Sequence, residues 1–175
     1  MDLGQLGPDC RAIGMNCLGD NQDASYFLFK PKPLDTGKVY AVVGTLATET
    51  GNAKYVGLSV NDASLLKGVL NIPDTKLKGS ANGYGHFDKF FVHFFTRDCA
   101  AVAGLADGVC TTITKDMVPR AGDDKAPGDP ALKGMFSAAV RAYVKPGSGR
   151  GPDSTKQLRP WVLTFSRSSA APWFY

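Results

Sequence analysis

The sequence has few of the side chains that enzymes use most often, since only two of its 175 residues are histidine and four are cysteine. His86 and His93 are seven positions apart, so on one strand they would point to opposite faces and could not share a metal ion or a proton relay. The chain also lacks a Gly-x-Ser-x-Gly nucleophile elbow. The sequence therefore predicts a protein that is not an enzyme and has no cofactor and no resident metal.

Long apolar runs and blocks of one charge are also missing. No stretch approaches the roughly 18 apolar residues of a membrane span, and the first ten residues lack the basic and apolar regions of a signal peptide. We expect no membrane span, and either use without Sec export or a signal that was removed. The net charge of +4 is not concentrated in a Lys/Arg block, so contact with nucleic acid is possible but not indicated.

What the chain does contain is ordinary for a globular protein, with 43% hydrophobic and 21% charged residues. Its 20 glycines and 11 prolines predict many turns and short elements. The length is typical of one domain. We expect a single β-rich domain over residues 1–175, with an irregular N-terminal segment (1–24) and a C-terminal tail (168–175).

The centre of the fold is predicted at Phe87 to Thr96, which reads FDKFFVHFFT and contains five of the ten phenylalanines. Both alternating sets of side chains are apolar over its middle, which predicts a central strand covered on both faces. Phe91 and Phe94 are then buried on opposite faces. His93, among phenylalanines, is expected to be a hydrogen-bonded core residue.

Other segments read as short strands and turns. Residues 38–48 and 53–60 are two β-rich runs joined by Glu49-Thr50-Gly51-Asn52, which predicts a β-hairpin. Residues 62–71 suggest a helical turn capped by Asp62.

Residues 131–144 fit two patterns. Lys133, Ser137, Arg141 and Lys145 form a polar stripe at intervals of four, which favours an amphipathic helix after Asp129-Pro130. The alternation of Phe136, Ala138, Val140, Ala142 and Val144 fits a strand instead. We favour the helix.

The count of five to seven strands and one or two short helices defines the fold class. Strands without regularly interleaved helices must cover one sheet with another, so we expect a mainly β protein: a single-domain β-sandwich, jelly roll or barrel.

The four cysteines form two local pairs, Cys10 with Cys17 and Cys99 with Cys110. Their spacing does not match a zinc finger or ribbon, and it predicts two short-loop disulfides typical of an oxidising setting. Free buried thiols are the alternative.

Several polar and aromatic residues are candidates for binding. Asp116, Asp123, Asp124 and Asp129 lack the order of a calcium loop, so a solvated loop is the better interpretation. Tyr84, Phe87, Trp161 and Trp173 could stack on bases or sugars, but aromatic residues of a β-protein are more often in its core.

The absence of a catalytic constellation favours a non-enzymatic structural or assembly protein. The most concrete form is a virion component, such as a coat, decoration or tail subunit, located in the virion or another extracellular particle. The expected partners are other copies of the chain or other subunits of the assembly. The alternative is a secreted, disulfide-bonded β-sandwich module that binds a carbohydrate or another small ligand.

The C-terminal tail supplies the candidate residues for subunit contact. Trp173, Phe174 and Tyr175 follow a proline, and three exposed aromatic side chains on a short tail would favour association. We expect this tail to dock into a groove on a neighbouring subunit.

Overall fold

The protein is a β-sandwich, as a computed structural model shows for residues 5–6, 23–85, 87–122 and 127–166. Two sheets pack face to face, and in these residues neither sheet closes into a barrel. The predicted fold class is therefore confirmed in its sandwich form.

The strands are short, as the glycine and proline content predicts. In chain order they are β1 (Gln5–Leu6), β2 (Ala24–Leu28), β3 (Lys32–Pro33), β4 (Lys38–Thr45), β5 (Tyr55–Asp62), β6 (Lys67–Pro73), β7 (Phe90–Thr96), β8 (Cys110–Thr112), β9 (Met135–Tyr143) and β10 (Trp161–Ser166). One α-helical turn, α1 (Asp74–Leu77), follows β6, and 3-10 turns cover Asn82–Tyr84, Pro130–Leu132 and Ser154–Lys156.

The first sheet has the order β1-β2-β9-β5-β6, with β3 also paired to β9, and the second has the order β10-β4-β7-β8. All pairs are antiparallel except β7 with β8.

β7 is the central strand that the phenylalanine-rich stretch predicts, and it lies between β4 and β8. Phe91, on the side facing the first sheet, is 0% exposed, and Phe94, on the opposite side, is 5% exposed. The expectation that both rings are buried on opposite faces of one strand is confirmed.

The hairpin predicted for residues 38–60 is wrong. β4 and β5 belong to different sheets, so the segment between them crosses from one sheet to the other. Gly51 takes a φ of +68°, as expected, but its turn lies within a tight loop in which the Asn52 and Ala53 amides both donate to the Ala47 carbonyl. A turn signal predicts a reversal of direction, but not whether the chain returns to the same sheet.

The real hairpin follows, between β5 and β6, so the helical turn expected at 62–71 is also wrong. Asp62 does cap a turn, since its Oδ1 accepts from the Ser64 amide at 2.8 Å and from the Ser64 hydroxyl at 2.7 Å. That turn connects β5 to β6. The residues after it form a strand, in which Val69, Leu70 and Ile72 pack against the core.

Residues 135–143 form strand β9, so the helix favoured for 131–144 is wrong. β9 pairs with β2 on one side and β5 on the other. The alternate residues that the strand pattern selects are buried in it: Phe136, Ala138, Val140 and Ala142. A spacing of four is also a multiple of two, so the polar stripe of Ser137 and Arg141 fits one face of a strand equally well. The Asp129-Pro130 signal begins only a 3-10 turn, where Asp129 Oδ1 accepts from the Ala131 amide.

The core lies between the sheets and contains aromatic contacts that cross from one to the other. The ring of Phe136 on β9 lies 5.0 Å from that of Tyr40 and 6.3 Å from that of Phe95. The Tyr40 hydroxyl donates to the Pro33 carbonyl, and burial raises the pKa of Tyr40 to about 12. The hydroxyl of Tyr40 therefore has a hydrogen-bond partner inside an otherwise apolar layer.

The side chain of Arg97 links several backbone segments by hydrogen bonds. Its guanidinium donates to five backbone carbonyls, at 2.7–3.4 Å, those of Leu34, Ile113, Thr114, Val118 and Pro119. A planar fork of five N–H donors suits this arrangement, and a lysine ammonium does not.

We expect the substitutions Phe91→Ala and Phe94→Ala each to lower the free energy of unfolding by about 3–5 kcal/mol, through lost burial and a residual cavity. Denaturant unfolding measures this loss. Leu66→Ala, at a side chain that is 86% exposed, is the control and should change little. A cost below 1 kcal/mol at either phenylalanine would contradict the central role of β7.

We expect Arg97→Lys to cost about 2–4 kcal/mol, because several carbonyls would lose a charged donor. The comparison is Arg159→Lys at an exposed position, measured by the same unfolding experiment. Equal stability of the two variants would show that the carbonyl contacts of Arg97 contribute nothing.

Candidate functional site: an apolar groove and a polar cleft on the second sheet

The outer face of the second sheet carries an apolar groove of about 410 Å³, which we call the outer groove. Hydrophobic and aromatic residues line it throughout: Ala41, Val43, Ala81, Tyr84, Phe87, Phe90, Val92, Phe94, Leu163 and Phe165.

Strand register explains why these residues share one face. Leu163 of β10 lies opposite Ala41 of β4, which in turn lies opposite Phe94 of β7. Directly opposed residues point to the same side of a sheet, so the three strands form one continuous apolar surface.

A disulfide-closed loop covers only part of this outer face. Cys99 and Cys110 are bonded, with an S–S distance of 2.02 Å, and Val102, Leu105 and Val109 pack into the same outer cluster as Phe94. The predicted Cys99–Cys110 disulfide is confirmed. The Cys10–Cys17 pair lies outside the described residues.

The uncovered part exposes large apolar side chains. Phe87 is 48% exposed, Leu163 is 44% exposed, and Tyr84 is 45% exposed. Trp161, which lies opposite Val43 at the start of β10, is 70% exposed. The expectation that Tyr84, Phe87 and Trp161 are core residues is therefore wrong, because in the described residues the outer face of the second sheet has only a partial cover.

The first sheet has a different outer face. There Arg141 stacks on the rings of Tyr26 and Tyr143, with its Cζ 4.5 and 4.8 Å from the ring centroids. Burial is the main cause that raises the pKa of Tyr143 to about 12. A guanidinium and phenols interact well with water, so the apolar character of the outer groove is particular to the second sheet.

The second candidate is a polar cleft of about 1170 Å³ at the open side of the sandwich, between β6 of one sheet and β8 of the other. Its polar lining residues are Asn71, Lys76, Lys78, Ser80, Tyr84, His93, Asp107 and Thr111.

His93 is the polar member of the inner-facing set of β7, between Phe91 and Phe95, and it is 1% exposed. Its Nε2 is 2.8 Å from the Thr111 hydroxyl, which confirms the expected hydrogen bond. Its Nδ1 is buried without a hydrogen-bond partner in the described part of the chain. Burial lowers the pKa of His93 to about 4, so the imidazole is neutral at pH 7.

The cleft carries charge on its rim. Lys76 and Lys78 come from α1 and the residue after it, and Asp107 comes from the disulfide-closed loop. Lys78 forms an ion pair with Glu49 at 3.0 Å. Ser80 is held in place, because its Oγ donates to the Leu77 carbonyl at 2.6 Å and accepts from the Val92 amide at 3.1 Å.

Asp116 and Asp129 line neither the outer groove nor the polar cleft. His86, Asp123 and Asp124 lie outside the described residues, as do Trp173, Phe174 and Tyr175. Across the described ranges no group of three His, Cys, Asp or Glu side chains could hold a metal ion, and no helix there is long and apolar enough to cross a membrane.

Comparison with known proteins gives no relative: no protein-family model, no curated protein and no solved structure matches the chain.

The lowered pKa of His93 makes stability depend on pH. Between pH 6.5 and about 4 the unfolded chain binds a proton at this residue that the folded chain does not, so stability falls as the pH falls through that window. We expect His93 to contribute a loss of about 2 kcal/mol between pH 7.5 and pH 5.

Denaturant unfolding at both pH values measures this loss. His93→Gln should reduce the pH dependence by that amount, and Lys67→Gln, at an exposed position, should leave it in place. An unchanged pH dependence in His93→Gln would contradict a neutral buried imidazole.

Proposed function

We propose that the protein is a non-enzymatic structural subunit of an assembly, whose copies contact one another through the outer groove. The observation that carries this proposal is a groove lined throughout by hydrophobic and aromatic side chains, on a sheet face that is covered only in part. Contiguous exposed apolar surface of this kind marks interaction sites.

The occupant is the C-terminal segment 172–175 of a neighbouring copy. Trp173, Phe174 and Tyr175 supply three aromatic side chains that each bury about 150–250 Å² when enclosed. Their chemistry matches the lining of the groove, and polar tails would not gain by entering it.

The exit of the chain supports this occupant. β10 places Phe165 in the wall of the groove and ends at Ser166, and residues 167–175 follow it in the sequence. Nine extended residues reach about 30 Å, which is enough to reach the groove of an adjacent copy.

A neighbouring copy is favoured over the same chain by the surface beside the groove. In the described residues β10 is the last strand of its sheet and pairs with β4 on one edge only. Trp161 is 70% exposed and Leu158 is 64% exposed near this strand. A second subunit would cover this surface together with the groove, whereas the chain's own four-residue tip would leave it in water.

The most concrete form of the proposal is a coat, decoration or tail subunit of a virion. Its support is architectural, because two-sheet β-folds recur in capsid proteins, and chemical, because the Cys99–Cys110 disulfide suits an extracellular particle.

The second candidate is a secreted binding module. The same disulfide and the polar cleft favour it. An assembly subunit multimerises through the outer groove, whereas a binding module needs no multimer.

Deletion of residues 172–175 tests the assembly proposal. We expect the full chain to be multimeric by light scattering after size-exclusion chromatography, and the deletion variant to be monomeric with unchanged far-ultraviolet circular dichroism. Leu163→Ser, inside the groove, should have the same effect as the deletion. The matched control is Leu66→Ser, whose side chain is exposed but lies outside the groove.

Tryptophan fluorescence then distinguishes a neighbouring copy from the same chain. The protein has two tryptophans, so Trp161→Phe leaves Trp173 as the single reporter. We expect its emission to shift to the red on dilution as the multimer dissociates. A blue-shifted emission that does not depend on concentration would place the tail on its own subunit, and normal assembly of the deletion variant would refute the proposal.

A further inference from the structure

We propose that the polar cleft binds a small hydroxylated organic anion, an acidic sugar or a sugar phosphate. This inference does not depend on the assembly proposal, since it concerns a different surface and rests on different residues.

The cleft exists because the sandwich is open on one side. β6 and β8 are the last strands of their sheets at this side, and the segments 78–84 and 104–109 form the rim. A Cβ added at Gly83 or Gly108 would meet nothing within 4 Å. The wall at these two positions is therefore backbone with open space beside it, which leaves room for a ligand.

His93 lines the cleft, and its Nδ1 is buried without a hydrogen-bond partner in the described part of the chain, so we assign the missing partner to the ligand. A buried polar atom without a hydrogen bond costs about 1–3 kcal/mol, and such atoms are few in folded proteins. Nδ1 is a donor or an acceptor depending on whether Thr111 gives or receives its own hydrogen bond. A hydroxyl group can serve either state, since it both donates and accepts.

The rim indicates an anion. No carboxylate in the described part of the chain pairs with Lys76, while Lys78 is shared with Glu49. Asp107, which also lines the cleft, can accept from further hydroxyls. A ligand with an anionic group at one end and hydroxyls at the other satisfies Lys76, Asp107 and His93 together.

Nuclear magnetic resonance of the imidazoles tests this inference on the full chain. Only two histidines contribute, and His86→Gln assigns them. The probes are D-glucuronate, glucose 6-phosphate, glucose and inorganic phosphate at pH 7. We expect at least one of the two charged sugars to shift the His93 nitrogen resonances saturably, with a Kd near 1 mM or below, and glucose and phosphate to bind at least tenfold more weakly.

The two charged sugars distinguish a carboxylate from a phosphate ligand, and saturable binding of either supports the inference. Failure of both to shift His93 would overturn it, as would equal binding of glucose or of phosphate alone.

Two lysine variants show whether the rim takes part. Lys76→Gln should weaken binding of the charged sugar at least tenfold, whereas Lys67→Gln, exposed on β6 outside the cleft, should not change it. Equal affinity of both variants would overturn the role of the rim. Both lysines are exposed, so their substitution should not disturb the fold. The test therefore needs no substitution of the buried His93.

Discussion

The structure depends on one constraint, that β7 is apolar on both faces and both must be covered. The inner set, with Phe91 and Phe95, packs against the first sheet through Phe136. In the described residues no third sheet covers the outer set, and a loop held closed by the Cys99–Cys110 bond covers it in part. The first sheet and the disulfide-closed loop thus serve the same purpose, which is to bury the apolar side chains on the two faces of β7.

Both candidate sites arise where this cover stops. The disulfide-closed loop packs around Phe94, whereas Phe90 and Phe87 lie toward the other end of the strand, where the outer groove remains open. On the inner side, His93 lies between Phe91 and Phe95 in the strand, at the place where the two sheets separate between β6 and β8. The outer groove is an exposed apolar face, so it needs an apolar partner. The polar cleft opens beside the buried His93, so it needs a polar one.

The local pattern of the sequence predicts which side chains of a strand are buried, because that depends on alternation. It does not predict which strands become neighbours, because that depends on the topology of the whole fold. The two-sided burial of β7 could be predicted because side chains alternate whatever the neighbours of the strand are. The Cys99–Cys110 pair could be predicted because short loops bring cysteines together. The β4–β5 hairpin was wrong because Gly51 and Asn52 specify a tight turn without specifying which sheet receives the next strand. β9 was ambiguous because Ser137 and Arg141 fit both periods. The polar cleft could not be predicted at all, since residues from β6, β7 and β8 meet there only after folding.

The disulfide loop connects the two sites physically. Its Val109 packs into the outer cluster beside Phe94, and the same residue, with Gly108 and Cys110, lines the polar cleft. The Phe94 amide donates to the Val109 carbonyl at 2.8 Å, so β7 fixes the end of the loop from which both surfaces begin. A change in the packing of Val109 therefore acts on the apolar cluster and on the cleft wall at once. The oxidised Cys99–Cys110 bond restricts such changes, because it closes the loop at the strand that both sites share.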